Sequence, residues 1–523
     1  MILRALWKKL PSIVALMSLA VMPAACGGGG GNGDEDADAT VPDGVDTVDI
    51  VTEGDEDTIL PDEADMGADE EAAADPVDDP IPDMPVDMPA DITEDGEPPP
   101  AAPWPEWAFH HWVWEDESTQ ESAIALVEDY LAHDIEVGAI IIDSPWETGY
   151  NTFDFDTDLY PDARAMVDHL HSLGVRVFMW IVGGINTDVP ELYSYGEDNN
   201  YFMKYTPFGG PAEVDWWKGR GSLIDFFNPE AAAWWHTLVD NTLALGIDGW
   251  KCDGLDYYAT LARYSPGAGG YVSRLEYSHA YYRDFFDYTR FVLGDDRIIT
   301  ARPVDNYGLP GGGDLASFAP VDINWAGWVG DQDADFNGLK AALVNFYESY
   351  LVGYVAYGSD IGGYRENDEY PLKRSKELFI RWAQLGALCP VMENGGGGEH
   401  RPWIFDEETS DIYRDFVSLH YALIPYLMRE GARAFDARIS LMTFIDNVQF
   451  HYLLGPDILV APMLEEGTSR AVLFPDDGRW IYLFDRARVY AGGAAETLTI
   501  PTNEFPVFLR EGSAIASELP DEW

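Results

Sequence analysis

From Trp107 onward, short apolar runs alternate with amphipathic stretches at a regular spacing. The runs predict β-strands near residues 107–114, 137–143, 175–182, 247–253, 297–302, 321–326, 352–358 and 388–392. Between most of them, stretches such as Ala163 to Leu173, Glu230 to Leu245 and Lys373 to Gly386 repeat apolar residues with the period of a helix that packs one face on a core. Eight strands alternating with helices predict an α/β fold of the (β/α)8 TIM-barrel type. An open doubly wound sheet is the alternative, but no GxGxxG turn follows the first strand. A helix is expected to end near Leu427. Beyond it the pattern changes to short runs separated by turn residues: Phe444, Phe450-His451-Tyr452, Ile458-Leu459-Val460, Ala471 to Phe474, Trp480 to Leu483 and Phe505 to Phe508. These predict a small C-terminal β-sandwich. The expected division is a signal segment over 1–26, a linker over 27–103, a catalytic barrel over 104–432 and the sandwich over 433–523.

The first 26 residues carry a basic start (Arg4, Lys8, Lys9), an apolar run from Ile13 to Met22 and then Pro23-Ala24-Ala25-Cys26. This reads as an export signal, too short to span a membrane. A cysteine after small residues and before five glycines resembles a bacterial lipoprotein signal, which implies a lipid on Cys26 and a place in the cell envelope or outside the cell; an ordinary secretory cleavage is the alternative. Residues 27–103 are rich in Gly, Ala, Asp, Glu and Pro, with a low-complexity PDMPVDMPAD stretch. They lack the apolar surface to offset ordering entropy and are expected to form a disordered, charge-extended acidic tether.

Charge narrows the partners. The chain has a formal net charge of -62, with 26 acidic and no basic side chains between residues 34 and 100, and the remainder is strongly acidic too. Such a field disfavours nucleic acid and favours a neutral substrate such as an oligosaccharide or glycoside. An aromatic content of 13% supplies a large core and sugar-stacking faces. Beyond Cys26 only Cys252 and Cys389 remain, both in apolar runs, so they are expected to be inert core thiols rather than a disulfide scaffold.

Candidate chemistry sits where the predicted strands end, because parallel barrels assemble their sites at that rim. Strand two ends at Asp143, strand four at Asp253, strand five at Arg302 and strand seven at Asp360, and Asp331 follows strand six. Any one of these carboxylates is explained as a turn or helix cap; the set is not. Acids and an arginine on one rim suit a polyol, whose adjacent hydroxyls take paired hydrogen bonds. They suit glycoside cleavage in particular, which needs one protonated and one ionised carboxyl group flanking the bond. No His-x-His or His-Glu-x-x-His pattern accompanies them, so neither a metal nor a cofactor is expected. Lys251 lies two residues before Asp253 on the same face of the strand, and either keeps that carboxylate charged or pairs with another barrel acid.

At these residues the sequence resembles glycoside hydrolase family 31, retaining enzymes acting on α-linked sugars. The resemblance is carried by Asp248-Gly249-Trp250-Lys251-Cys252-Asp253, by Trp328-Val329-Gly330-Asp331 and by Gly358-Ser359-Asp360-Ile361-Gly362-Gly363-Tyr364. It implies that Asp253 is the nucleophile, that Asp331 is the acid/base, and that Asp143, Arg302 and Asp360 bind the terminal sugar. The two catalytic carboxyl groups would then stand about 5 to 5.5 Å apart. Where many members carry Met-Arg-x-His after strand eight, this chain has Met392-Glu393-Asn394 and four glycines before Glu399-His400. His400 is the candidate to reach the same hydroxyl by another route, and Glu393 in the arginine's place leaves the sugar open. Asp256 and Asp333, with Trp146, Trp325 and Trp328, are further candidates for polar contacts and a stacking face. The expected activity is α-glucosidase-like hydrolysis. The alternatives are the same mechanism on α-xylosides, α-galactosides, α-amino sugars or sulfoquinovosides, transglycosylation, or a non-catalytic surface carbohydrate-binding protein.

Overall fold

The computed structural model describes residues 100–254, 262–308, 315–366, 373–476, 478–520 and 523. The expected signal, Cys26, nearly all of the expected tether and the candidate Asp256 lie outside them. Eight barrel strands are present: β1 (His111–Glu115), β2 (Ala139–Ile142), β3 (Arg176–Ile181), β4 (Gly249–Cys252), β5 (Ile298–Ala301), β6 (Gly327–Val329), β7 (Tyr357–Ser359) and β8 (Met392–Asn394). Strands β5, β4, β3, β2, β1 and β8 form one parallel sheet in that order. Strands β6 and β7 pair in parallel, and a bridge between Asp360 and Glu393 joins β7 to β8. Between β5 and β6 the Asn324 side chain donates to the Ala301 carbonyl at 2.9 Å, taking the place of a ladder bond. The strands are buried on both faces, as a parallel barrel inside a ring of helices requires.

The helices start where the sequence supplies a cap. Thr119, Asp162, Asn228, Ser273, Asp335, Ser375 and Asp406 each accept a hydrogen bond from an amide of the first turn that follows. The resulting helices Ala163–Ser172, Pro229–Leu243 and Lys376–Gly386 match the three expected ones to within a few residues.

Several boundaries move for identifiable reasons. Residues 107–109 belong to a 3-10 turn, Glu106–Phe109, so β1 starts later than expected. Residues 321–326 are irregular, not strand six; Asn324 is turned to the Ala301 carbonyl and Trp325 packs on Trp104 and Phe286. The expected strand over 352–358 starts only at Tyr357, because helix Phe336–Val352 runs to Gly353, which caps it with φ 93°. Strand eight lies at Met392–Asn394 rather than 388–392. The helix expected to stop near Leu427 spans Glu407–Ala437 with Pro425 inside it, past the expected domain boundary at 432. Proline costs one backbone bond there, and the buried Leu423, Ile424, Tyr426 and Leu427 hold the helix against its neighbours.

Beyond this helix, strands Met442–Phe444, Tyr452–Leu454, Ile458–Val460, Val507–Arg510, Arg479–Tyr482 and Val489–Ala491 form an antiparallel sheet in that order, and Ser469–Leu473 pairs with Ala495–Thr499. Arg381 fastens this region to the barrel: its buried guanidinium donates to the carbonyls of Glu504 at 2.8 Å and Ile500 at 3.1 Å, and Gln384 donates to Thr502 at 2.7 Å. The free thiols of Cys252 and Cys389 are both buried. Among the described residues, no helix is long and apolar enough to cross a membrane.

One glycine is required by the spacing of the strands themselves. A Cβ on Gly249 would stand 2.3 Å from the Ile298 carbonyl oxygen and 2.5 Å from the Phe178 ring. Strand β4, which carries Lys251 and leads to Asp253, therefore packs at a distance only glycine allows. Gly249→Ala is expected to cost about 1–3 kcal/mol by overpacking, whereas Gly270→Ala, with nothing within 4 Å of the new methyl, leaves stability unchanged. Thermal unfolding of the two variants side by side checks this.

Candidate active site

The strand ends enclose a cavity of about 410 Å³ whose wall includes Asp143, Lys251, Asp253, Arg302, Trp328 and Asp331. Arg302, 1% exposed, is the hub. Its Nε donates to Asp253 Oδ1 at 2.9 Å, its Nη2 to Asp331 Oδ2 at 2.8 Å, and its Nη1 to Asp305 Oδ2. The rings of Tyr307 and Trp328 lie against the guanidinium, with centroids 3.8 and 4.3 Å from its central carbon. Burial opposes the guanidinium's charge, but the three carboxylates outweigh it and hold its pKa above the usual arginine value.

Asp253 is held ionised. Burial opposes its charge, yet Arg302, Lys251 and the Gly254 amide, 2.8 Å from Oδ1, bring its pKa below the usual carboxylate value. The Trp180 indole N–H donates to its Oδ2 at 3.3 Å. Asp331 differs in setting: its side chain is 25% exposed against 8% for Asp253, so it faces the opening of the cavity. Its backbone sits in the left-handed region at φ 65°, and its amide donates to Asp360 Oδ2 at 3.0 Å. A non-glycine residue held there is strained, and the bond to Asp360 fixes the turn that presents its carboxyl group.

Asp143 accepts from Lys251 Nζ at 2.9 Å and from the Ser144 amide at 2.8 Å. Lys251 lies over the Trp114 ring, 3.5 Å from its centroid. Lys251 pairs directly with Asp143, and its charge adds to that of Arg302 in lowering the pKa of Asp253. Burial lowers its pKa, but Asp143, Glu393 and Asp360 outweigh that and raise it.

Other expected site residues lie elsewhere. Asp360 is fully buried and not part of the cavity wall; its Oδ2 accepts from the Asp331 amide, and its Oδ1 has no hydrogen-bond partner among the described residues. His400 does not reach the cavity: its Nε2 is 2.9 Å from Arg374 Nη2 and its Nδ1 3.1 Å from the Ile361 carbonyl oxygen, and burial followed by Arg374 holds its pKa well below the usual value. Trp146 belongs to the core, packed on Phe155 and donating to the Trp180 carbonyl at 2.8 Å. Trp325 is core as well. Asp333 pairs with Arg365, 3.0 Å away, outside the wall. Trp328 does line the cavity, with its ring against Arg302 and Lys251.

The wall also contains residues not singled out in the sequence: Trp114, Asp116, Trp180, Trp217, Lys218, Tyr307 and Arg365. Trp114 and Asp116 stand at the end of β1, where the strand-end rule applied to strand one would have found them. Trp217 and Lys218 come from an antiparallel excursion after β3, formed by Gly184–Asn186, Glu213–Trp216 and Gly219–Leu223, for which barrel periodicity gives no signal. Asp305 accepts from Arg302 and also from Asn345 Nδ2 and the Asn306 amide, each at 2.7 Å; burial raises its pKa to about 6.

Comparison with known proteins decides the lineage. A model of the glycosyl hydrolase family 31 TIM-barrel domain matches residues 101–283 and 316–430, and one of the family 31 C-terminal domain matches 439–515. The chain belongs to glycoside hydrolase family 31. Members of this family are α-specific, retaining glycoside hydrolases. The chain is similar to alpha-glucosidase 2 of Bacillus thermoamyloliquefaciens, 25% identical over 441 residues that cover 80% of this chain and 55% of the relative. It is also similar to a sulfoquinovosidase of Agrobacterium fabrum, 28% identical over 378 residues covering 68% and 54%. It thus spans about half the length of these curated relatives. Its fold matches the crystal structure of an alpha-xylosidase from a soil metagenome complexed with xylose at a TM-score of 0.66, with 22% identity over 81% of this chain and 65% of the other.

One buried acid of this family 31 barrel is expected to make its stability depend on pH. Glu393 is fully buried, and burial, countered by Lys251 and reinforced by Asp143, raises its pKa from 4.5 to about 7. An acid whose folded pKa is raised binds protons more tightly in the folded state. Its contribution is complete below the unfolded value and is lost as pH rises through the folded one. Melting temperatures between pH 4.5 and 8 are therefore expected to fall less steeply with pH in Glu393→Gln than in the wild type.

Proposed function

We propose that the protein is a retaining α-glycosidase that hydrolyses a terminal α-linked sugar, with Asp253 as nucleophile and Asp331 as acid/base. The observation that supports this most is the shared guanidinium: Arg302 holds one oxygen of each carboxylate on neighbouring nitrogens and keeps Asp253 charged. A cavity of about 410 Å³ falls within the roughly 300–1,000 Å³ of small-ligand sites. In the first step Asp331 gives its proton to the glycosidic oxygen while Asp253 attacks the anomeric carbon, forming a glycosyl ester and releasing the aglycone. In the second, Asp331 takes a proton from water, the water oxygen attacks the anomeric carbon, and Asp253 leaves as carboxylate. Two inversions give net retention. A sugar acceptor in place of water gives transglycosylation by the same intermediate.

The names of the relatives support the class and span several sugars: glucoside, xyloside and sulfoquinovoside hydrolases appear among them. An α-glucosidase-like activity is the leading reading. The pairing of Asp253 and Asp331 on one guanidinium weighs against a purely carbohydrate-binding protein, which needs no such pair of carboxyl groups.

Asp253→Asn and Asp331→Asn are each expected to lower kcat on an activated aryl α-glycoside by at least about three orders of magnitude. The wild type is expected to release the α-anomer first, read by NMR; a β-configured first product contradicts the assignment. We further propose that Cys26 carries a lipid and that the enzyme works at the cell envelope. Palmitate labelling of the expressed chain, abolished by Cys26→Ser, checks this; label retained in that variant contradicts it.

A further inference from the structure

The cations of the cavity wall are already spoken for. Lys251 pairs with Asp143, Arg302 with Asp253, Asp305 and Asp331, Arg365 with Asp333, and Lys218 lies 3.6 Å from Glu117. One carboxylate of the wall is left over. Asp116, just past β1, has no lysine or arginine within ion-pair distance among the described residues. Its Oδ2 accepts from the Tyr364 hydroxyl at 3.0 Å, and its Oδ1 takes no hydrogen bond from them. The Tyr364 ring stacks on Trp114 at 20°, which holds the hydroxyl and hence the carboxylate in place. Burial, then the nearby charge of Asp143, raises the pKa of Asp116 to about 6, against the hydrogen bond from Tyr364.

In its ionised form Asp116 is an acceptor only, and in a sugar-sized cavity a donor on the ligand satisfies it. A hydroxyl or an ammonium supplies one; a sulfonate or carboxylate supplies none and adds repulsion from Asp116 and Asp143. We propose that Asp116 is a specificity-determining residue: it accepts a hydrogen bond from the terminal sugar, admits neutral and amino sugars, and excludes sugars bearing an anionic substituent. The proposal rests on the glycosidase reading of the same cavity and sets this chain apart from its sulfoquinovosidase relatives.

Binding of free sugars separates recognition from turnover. The full chain, with Asp116→Asn and Asp116→Glu, is titrated calorimetrically with glucose, xylose, galactose, glucosamine and sulfoquinovose. Asparagine keeps the size of the side chain and an acceptor for Tyr364, so the fold is expected to hold, and unchanged melting verifies it. The expected result is that the best neutral or amino sugar binds the wild type at least tenfold tighter than sulfoquinovose. Asp116→Asn should weaken that best sugar at least fivefold and narrow the gap to sulfoquinovose, with partial recovery in Asp116→Glu. Equal binding of sulfoquinovose in the wild type, an Asp116→Asn affinity within twofold of wild type, or no binding of any of the sugars overturns the proposal. If the sugars bind as expected but no α-glycoside is cleaved, recognition by Asp116 stands and the hydrolytic reading falls.

Discussion

A single buried guanidinium sets the geometry of this site. Arg302 is taken out of water almost completely, a cost repaid only because each of its terminal nitrogens and its Nε meets a carboxylate and the rings of Tyr307 and Trp328 lie against it. Asp253 leaves β4, Arg302 and Asp305 leave β5, and Asp331 leaves β6, so one cation ties three adjacent strand ends together. Removing it would strand three acids at once in a poorly solvated pocket. The guanidinium therefore sets the charge state of the nucleophile and the spacing of the pair together.

Around that hub the acids outnumber the cations, and the fold assigns them different states by burial and partners. Asp253 is pulled below the usual carboxylate value by two cations and an amide. Asp360 and Glu393, bridged to each other between β7 and β8 and fully buried, are pushed the other way, each by burial first and the negative charges around it. Carboxylates at one barrel rim thus divide into an ionised Asp253 at the cavity and neutral-leaning Asp360 and Glu393 buried beyond its wall. Lys251, pressed on Trp114 and bonded to Asp143, supplies the second positive charge that makes the division sustainable.

The alternation of strands and helices is legible because buried parallel strands are continuous apolar runs, and the strand-end rule alone points to Asp143, Asp253, Arg302 and Asp331, all of which line the cavity. What the pattern did not carry is direction in space. Asp360 ends its strand as predicted, yet one of its oxygens is taken by the Asp331 amide while the other is buried without a partner among the described residues, and Trp146 and Trp325 look like stacking faces only until their neighbours are seen. His400 follows the right strand, but the loop of four glycines folds it back against Arg374. Trp217 reaches the cavity from an antiparallel excursion that has no counterpart in a barrel's repeat. Residues 321–326 are apolar enough to read as a strand, yet they are irregular and meet the Ala301 carbonyl through the Asn324 side chain, a contact that hydrophobic periodicity does not register.

The central claim is that Asp253 bonds covalently to the anomeric carbon. Incubation with a slow-turnover 5-fluoro α-glycosyl fluoride of whichever sugar is cleaved, followed by peptide mass spectrometry, reads that bond directly. The account predicts one added glycosyl unit, located on Asp253 and absent in Asp253→Asn. A label on any other side chain, or an unlabelled protein whose turnover the reagent nevertheless halts in a time-dependent way, would contradict it.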